Sequence, residues 1–289
     1  MNIIRQVASS IVKFKYMKRI IIYFCVAFGI SLADTVYHIP IEGTIDLGLP
    51  PFIERSIAEA EENNAKAIIF EVNTFGGRVD AATQIKDAIL DSKVPTVAFI
   101  NKRAISAGAL ISLSCEKVFM AGGATIGATT AVDMQGNKAS EKVISYMREE
   151  MAATAEKRGR DKYIARGMVD EELEFPNKVM KEFINDGEVI DTIKTKVYYL
   201  VIDGDTVTVD DIEGRKQGNL ITLTTEQSLK YKIADASIEN FEAVLDTLGF
   251  SNLVVNKTTE NWSENFVRFL TNPVVASLLT TFGFLGILF

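Results

Sequence analysis

Ser106 lies in Ala104-Ile105-Ser106-Ala107-Gly108-Ala109, between an apolar run and a stretch of small residues. A serine at the start of a helix serves either as its N-cap or, with its Oγ left free, as a nucleophile. In the second case the next amide, that of Ala107, is placed to hold a developing oxyanion. A comparable place is Asn73-Thr74-Phe75-Gly76-Gly77, before another helical pattern. Without Cβ atoms, Gly76 and Gly77 leave their N–H groups open to a ligand, and the following helix N-terminus adds a favourable dipole. A Gly-Gly pair is equally an ordinary strand-to-helix turn, so neither segment alone decides between chemistry and architecture.

A nucleophilic serine needs a base, and the chain has one histidine, His38, and two cysteines, Cys25 and Cys115. That supply excludes a His₃ or HExxH metal site and a zinc site of four His and Cys ligands, so no metal or other cofactor is expected. His38 reads as an exposed or half-buried strand residue, and Cys115 as a buried small hydrophobe. A neutral lysine can replace imidazole, and Lys138 and Lys142 lie in and just after a small, polar loop. An unperturbed lysine, with a pKa of about 10.4, is neutral in only about one molecule in 2,500 at pH 7. The base must therefore sit in a dry cleft, where burial lowers that pKa.

The elements that would carry these residues follow from periodicity. Val36 to Ile45 reads as a strand or hairpin, and Pro50-Pro51 opens a helix running to Asn64. Ala67 to Val72 and Val94 to Ile100 are apolar strands, each followed by a helix, Val79 to Ser92 and Ser106 to Cys115. Val118 to Met120 is a further strand. Strands alternating with helices at this density predict an α/β fold with parallel pairing. Ala128 to Ser140 reads as a mobile loop, Glu141 to Lys157 as a helix and Asp161 to Asp186 as helix-rich. Asp203-Gly204-Asp205 separates two alternating runs as a hairpin does. Helices are expected over Thr224 to Tyr231, capped by Thr224 or Thr225, and over Ile238 to Leu248.

The ends suggest a membrane. Residues 1–33 join a basic stretch with no acid to an apolar run ending Ser31-Leu32-Ala33, the pattern of a signal sequence, with Met17 as an alternative start. The net charge is −7, and losing the leader's five basic residues would make it −12, which disfavours nucleic acid as a partner. Residues 273–289 carry no charge and, as a helix, would reach roughly 26 Å into a bilayer, so they read as a tail anchor or the start of a transmembrane region. Residues 34–249 then form the main domain and 250–272 a juxtamembrane linker. The basic leader end stays inside, which puts the domain on the extracytoplasmic side.

Taken in order, strand-NTFGG-helix, strand-NKRAISAGALISLSC and GGATIGA resemble the ClpP-class serine peptidases of the crotonase-like superfold, and in particular the membrane-bound NfeD family. The resemblance covers about Val36 to Leu248. It implies a spiral of βα units, with Ser106 matching the nucleophile and Gly76, Gly77 and the Ala107 amide matching the oxyanion site. The family's lysine base begins the helix that ends in Gly-Arg, here Gly159-Arg160, which selects Lys142 over Lys138. Where the family has proline or a small residue before Gly-Gly, this chain has Phe75, which is expected to narrow the cleft. The resemblance further implies a Ser-Lys endopeptidase of the bacterial inner membrane cutting apolar peptide segments, a stomatin-like membrane partner and a homo-oligomer. The rival readings are a catalytically silent scaffold for such a partner and a crotonase-fold acyl-CoA enzyme.

Overall fold

The computed structural model describes residues 34–130, 132, 137–173, 178–185, 188–195, 199–202, 205–208 and 218–288. The signal-sequence reading of residues 1–33 and part of the loop read over Ala128 to Ser140 lie outside them. From Thr35 onward the chain forms one compact unit around a sheet of eight strands. β1 (Thr35–Ile45), β2 (Ala67–Gly77), β3 (Thr96–Ile105), β4 (Lys117–Met120) and β5 (Thr125–Gly127) enter in chain order. They are joined by β10 (Thr222–Thr224), β11 (Ala236–Ser237) and β12 (Val254–Lys257). The order is β10-β5-β3-β2-β1-β12, with β4 pairing β3 and β11; every pair is parallel except β10 with β5. The α/β expectation is met.

The sheet is buried on both sides, as parallel sheets require. Tyr37, Ile39, Ile41, Ile68, Phe70, Val72, Ala98 and Ile100 face the larger core. The alternate residues Val36, Ala67, Ile69, Val97 and Phe99 face a smaller one. On the larger side lie α1 (Leu49–Glu62), opened by its prolines and burying Phe52, Ile53, Ile57 and Ala60, and α2 (Val79–Asp91), burying Ala82, Ile85 and Ile89. Each large apolar side chain so buried contributes about 1.5–3 kcal/mol. α3 (Ala107–Ser114) differs from both, since all eight of its residues are buried. α4 (Glu141–Lys157) has the bounds read from the sequence.

Three segments differ from expectation. Asp161 to Asp186 is not helix-rich: among its described residues only α5 (Lys162–Gly167) is helical, and β6 (Lys178–Asn185) follows. It pairs antiparallel with β7 (Glu188–Thr195), while β8 (Tyr199–Ile202) and β9 (Asp205–Thr208) form the anticipated hairpin. α6 (Thr225–Lys230) is capped by Thr224 in a reciprocal capping box, and α7 (Phe241–Leu248) starts later than read, at the cap Asn240. Residues 250–260, read as linker, contain β12, which completes the sheet edge through pairs from Thr35–Val254 to His38–Lys257. Beyond it, α8 (Trp262–Thr271) and α9 (Pro273–Leu288) meet at a 70° bend. Among the described residues no single helix is long and apolar enough to cross a membrane; this bent pair passes only jointly.

Candidate active site

Ser106 sits between β3 and α3 with φ 56° and ψ −119°. A non-glycine residue at positive φ stores on the order of 1–3 kcal/mol of strain. It is the N-cap position of α3, yet its side chain makes no capping bond, so the hydroxyl is not spent on the helix. The tight turn and the free Oγ are what a nucleophile at a strand-to-helix elbow requires.

Three surrounding segments hold that turn. The Ser106 amide donates to the Gly127 carbonyl at 2.9 Å, which gives the GGATIGA stretch its role. A Cβ on Gly127 would lie 2.4 Å from the Ile221 carbonyl oxygen, so that position excludes any side chain. Gly76, at φ +102°, presses on the serine directly: a Cβ there would stand 2.6 Å from the Ser106 Cβ and 3.1 Å from the Ala107 nitrogen. At the far end of α3, Arg158 Nε donates to the Ser114 carbonyl at 2.7 Å, and Arg160 donates to the carbonyls of Cys115 and Glu116 at 3.1 and 3.2 Å. Arg158 and Arg160, on either side of Gly159, therefore anchor α3 from its C-terminal end.

The glycine pair is not a turn. β2 continues through Gly77, which pairs with Ile45, and the chain leaves the sheet at Arg78. Its register slips against β1 between Glu42 and Thr44, and against β3 between Val72 and Thr74, irregularities of the kind that re-aim backbone at sites. Thr74, which the sequence reading did not single out, organises this end. It is buried, its hydroxyl donates to the Gly43 carbonyl, and it accepts the Gly76 N–H at 2.8 Å. The Gly76 amide is thus occupied by Thr74. The Ala107 amide, in the first turn of α3, has no acceptor among the described residues. A threonine two residues before a Gly-Gly pair, able to form a local turn bond, was the available signal.

The two lysines part company. Lys138 pairs with Glu171 at 2.6 Å, and that carboxylate holds its pKa above the ordinary lysine value, so it stays protonated. Lys142 is exposed on the first turn of α4, beside Val143 and Tyr146, which are also exposed. The described residues of a single chain form no dry cleft around it. Phe75 does not fill a cleft either: it is 73% exposed, with the Arg103 guanidinium 4.4 Å above its ring. Cys115 is fully buried, and burial pushes its thiol up to about 12, so it is inert.

His38 is buried rather than exposed. Its Nε2 lies 2.7 Å from Glu71 Oε2, while Asn101 donates to the other carboxylate oxygen at 2.6 Å and the imidazole stacks on Phe241. The bond from His38 holds the Glu71 carboxyl below its ordinary value. These side chains stand on the sheet face of Val36 and Ile69, and the group braces the fold beneath β12.

Comparison with known proteins adds relatives to this geometry. The family described as NfeD1b, N-terminal domain, matches residues 35–188. Membrane protein NfeD1b of Bacillus subtilis (strain 168) is 33% identical over 254 residues, 88% of this chain and 50% of its own length. Membrane-bound protease PH1510 of Pyrococcus horikoshii is 27% identical over 280 residues, 92% of this chain and 56% of its own. The chain spans about half the length of the curated relatives it matches. Among solved structures, a lysine-to-alanine variant of the 1510-N membrane-bound stomatin-specific protease, in complex with a substrate peptide, superposes with a TM-score of 0.60 at 22% identity. It covers 83% of this chain and 98% of that one. The 1510-N protease specific for a stomatin homologue from Pyrococcus horikoshii gives 0.55 at 22%, over 83% and 99%. At such identity the likeness establishes a shared mixed α/β fold.

Proposed function

Since the chain belongs to the NfeD1b family, we propose that it is a membrane-bound serine endopeptidase of the ClpP class, cutting apolar peptide segments of a stomatin-like membrane protein. Ser106 Oγ attacks the peptide carbonyl, and neutral Lys142 takes its proton and later delivers it to the leaving amine. The Ala107 N–H and the Gly76-Gly77 segment hold the oxyanion, and Thr74 keeps Gly76 in place. Water then hydrolyses the acyl-enzyme. The observation that carries this reading is the strained Ser106 with a hydroxyl withheld from capping.

Two names among the relatives support it: one is a membrane-bound protease, and one solved structure holds a substrate peptide. Lys142 becomes a base only when water is removed from it. The exposed Val143 and Tyr146 beside it offer apolar surface that a peptide or a second copy of the chain would cover in doing so. The exposure of Lys142 in the single chain also suits the rival reading, a silent scaffold. Cleavage of an apolar peptide by the full chain, with Ser106→Ala and Lys142→Ala as variants, separates the two. A peptidase loses roughly 10³-fold or more in rate with either change. Undiminished cleavage by Ser106→Ala would refute the mechanism, and turnover of an acyl-CoA probe in place of peptide would favour the crotonase reading.

A further inference from the structure

α8 is amphipathic in an inverted sense. Glu264 and Arg268, one turn apart, face the domain. Arg55 of α1 donates to both Glu264 carboxylate oxygens at 2.7 and 2.9 Å. Arg268 pairs with Asp46 at 3.0 Å, and also with Glu260, while its remaining nitrogen donates to the Thr44 carbonyl at 3.1 Å. The helix is capped by Asn261 in a reciprocal box with Glu264. Its charged side is thus used up on the protein.

The opposite side carries Trp262, Phe266, Phe269 and Leu270, spaced i, i+4, i+7 and i+8 and therefore on one stripe. All four are exposed, Trp262 at 79%, and Trp262 stacks on Phe266 at 5.4 Å between ring centroids. A helix on a water-facing surface turns its apolar stripe inward; this one turns it out. Two neighbouring features say what covers it. α9 continues directly from α8, with no charge in its 16 residues, and Val274, Leu278, Leu279, Phe282, Phe284 and Leu285 are exposed along it. The 70° bend at Asn272-Pro273 lets α8 lie flat while α9 turns away from its axis. Tryptophan and phenylalanine beside an uncharged helix are the side chains that settle at the headgroup level of a bilayer.

We propose that the outer face of α8 lies on the lipid surface of the membrane and that the Arg55–Glu264 and Arg268–Asp46 pairs fix the domain rigidly to that surface. The end of the juxtamembrane linker is thereby a fastened strut, with the domain's tilt over the bilayer set by these ion pairs. The inference concerns a surface apart from Ser106 and stands whether or not the chain is a peptidase.

Trp262 is the chain's only tryptophan, so its fluorescence reports on α8 alone. The full chain is reconstituted into phosphatidylcholine–phosphatidylglycerol vesicles whose acyl chains carry bromine either near the glycerol or near the terminal methyl. The expected result is a blue-shifted emission, poorly accessible to aqueous iodide and lost most strongly with the shallow bromines. Emission typical of water that iodide quenches and bromine does not would overturn the proposal. So would a blue shift insensitive to bromine at either depth, because α8 would then be covered by protein, such as a second copy.

Discussion

Ser106 makes a conformational commitment that a mere cap residue has no reason to make. At φ 56° and ψ −119° glycine is comfortable and alanine is not. Ser106→Ala should therefore leave stability nearly unchanged, whereas Ser106→Gly should raise it by about 1 kcal/mol, the relieved strain less the cost of a more flexible unfolded chain. Denaturant midpoints of the two variants test this, and equal midpoints would remove strain from the account. Glu71 makes a prediction of a different kind. Its folded pKa is depressed below the ordinary 4.5, so its contribution is complete above that value and is lost as pH falls through the folded one. The difference in Tm between the wild type and Glu71→Gln should be steady near neutrality and shrink below about pH 4.5; a gap that persists in acid would mean that Glu71 does not titrate in this way. The candidate residues Ser106, Gly76 and Ala107 stand out in the sequence because each sits at the edge of a patterned element. Thr74 and Glu71 do not, because their partners, Gly43 and His38, lie 31 and 33 residues away along the chain.

α3 shows how an element can be short, wholly buried and still well placed. Eight residues are too few to form a stable helix alone, so its position depends on what grips each end. Gly127 holds the Ser106 amide at one end, and Arg158 and Arg160 hold the terminal carbonyls at the other. Arg160, with only 4% of its side chain exposed, also reaches the Ile233 carbonyl and Asp235, so it ties α3 to the segment after α6. Arg160→Ala should cost on the order of 3 kcal/mol, because several buried acceptors lose a charged donor together. Chemical denaturation measures the loss, and a change below about 0.5 kcal/mol, the range of ordinary surface substitutions, would show that α3 does not rely on it. The same long-range dependence explains which elements could be read beforehand. The helices of α1, α2 and α4 carry their own apolar stripes, whereas β12 is four exposed residues whose only reason to be a strand is β1, more than two hundred positions earlier. β6 likewise owes its form to β7, the partner that follows it.

At the scale of the whole molecule, one α/β unit presents Ser106 at one edge of a two-sided core, while α8, fastened by Arg55 and Arg268, turns an apolar stripe outward beside the uncharged α9. A protease held at fixed tilt over a bilayer would meet peptide segments as they leave the lipid, which fits the apolar substrate class proposed. Cleavage would also depend on Lys142 losing water, so it should appear only with the full chain bound to substrate or assembled with its copies. The proposed mechanism makes Ser106 a nucleophile activated by Lys142. Its most direct test is to treat the membrane-reconstituted full chain with a fluorophosphonate probe and map the adduct by mass spectrometry, in the wild type and in Lys142→Ala. The expected result is a single adduct on Ser106 that forms faster as pH rises and is nearly abolished in Lys142→Ala. Absence of adduct from folded wild-type protein, or equal labelling with and without Lys142, would contradict it.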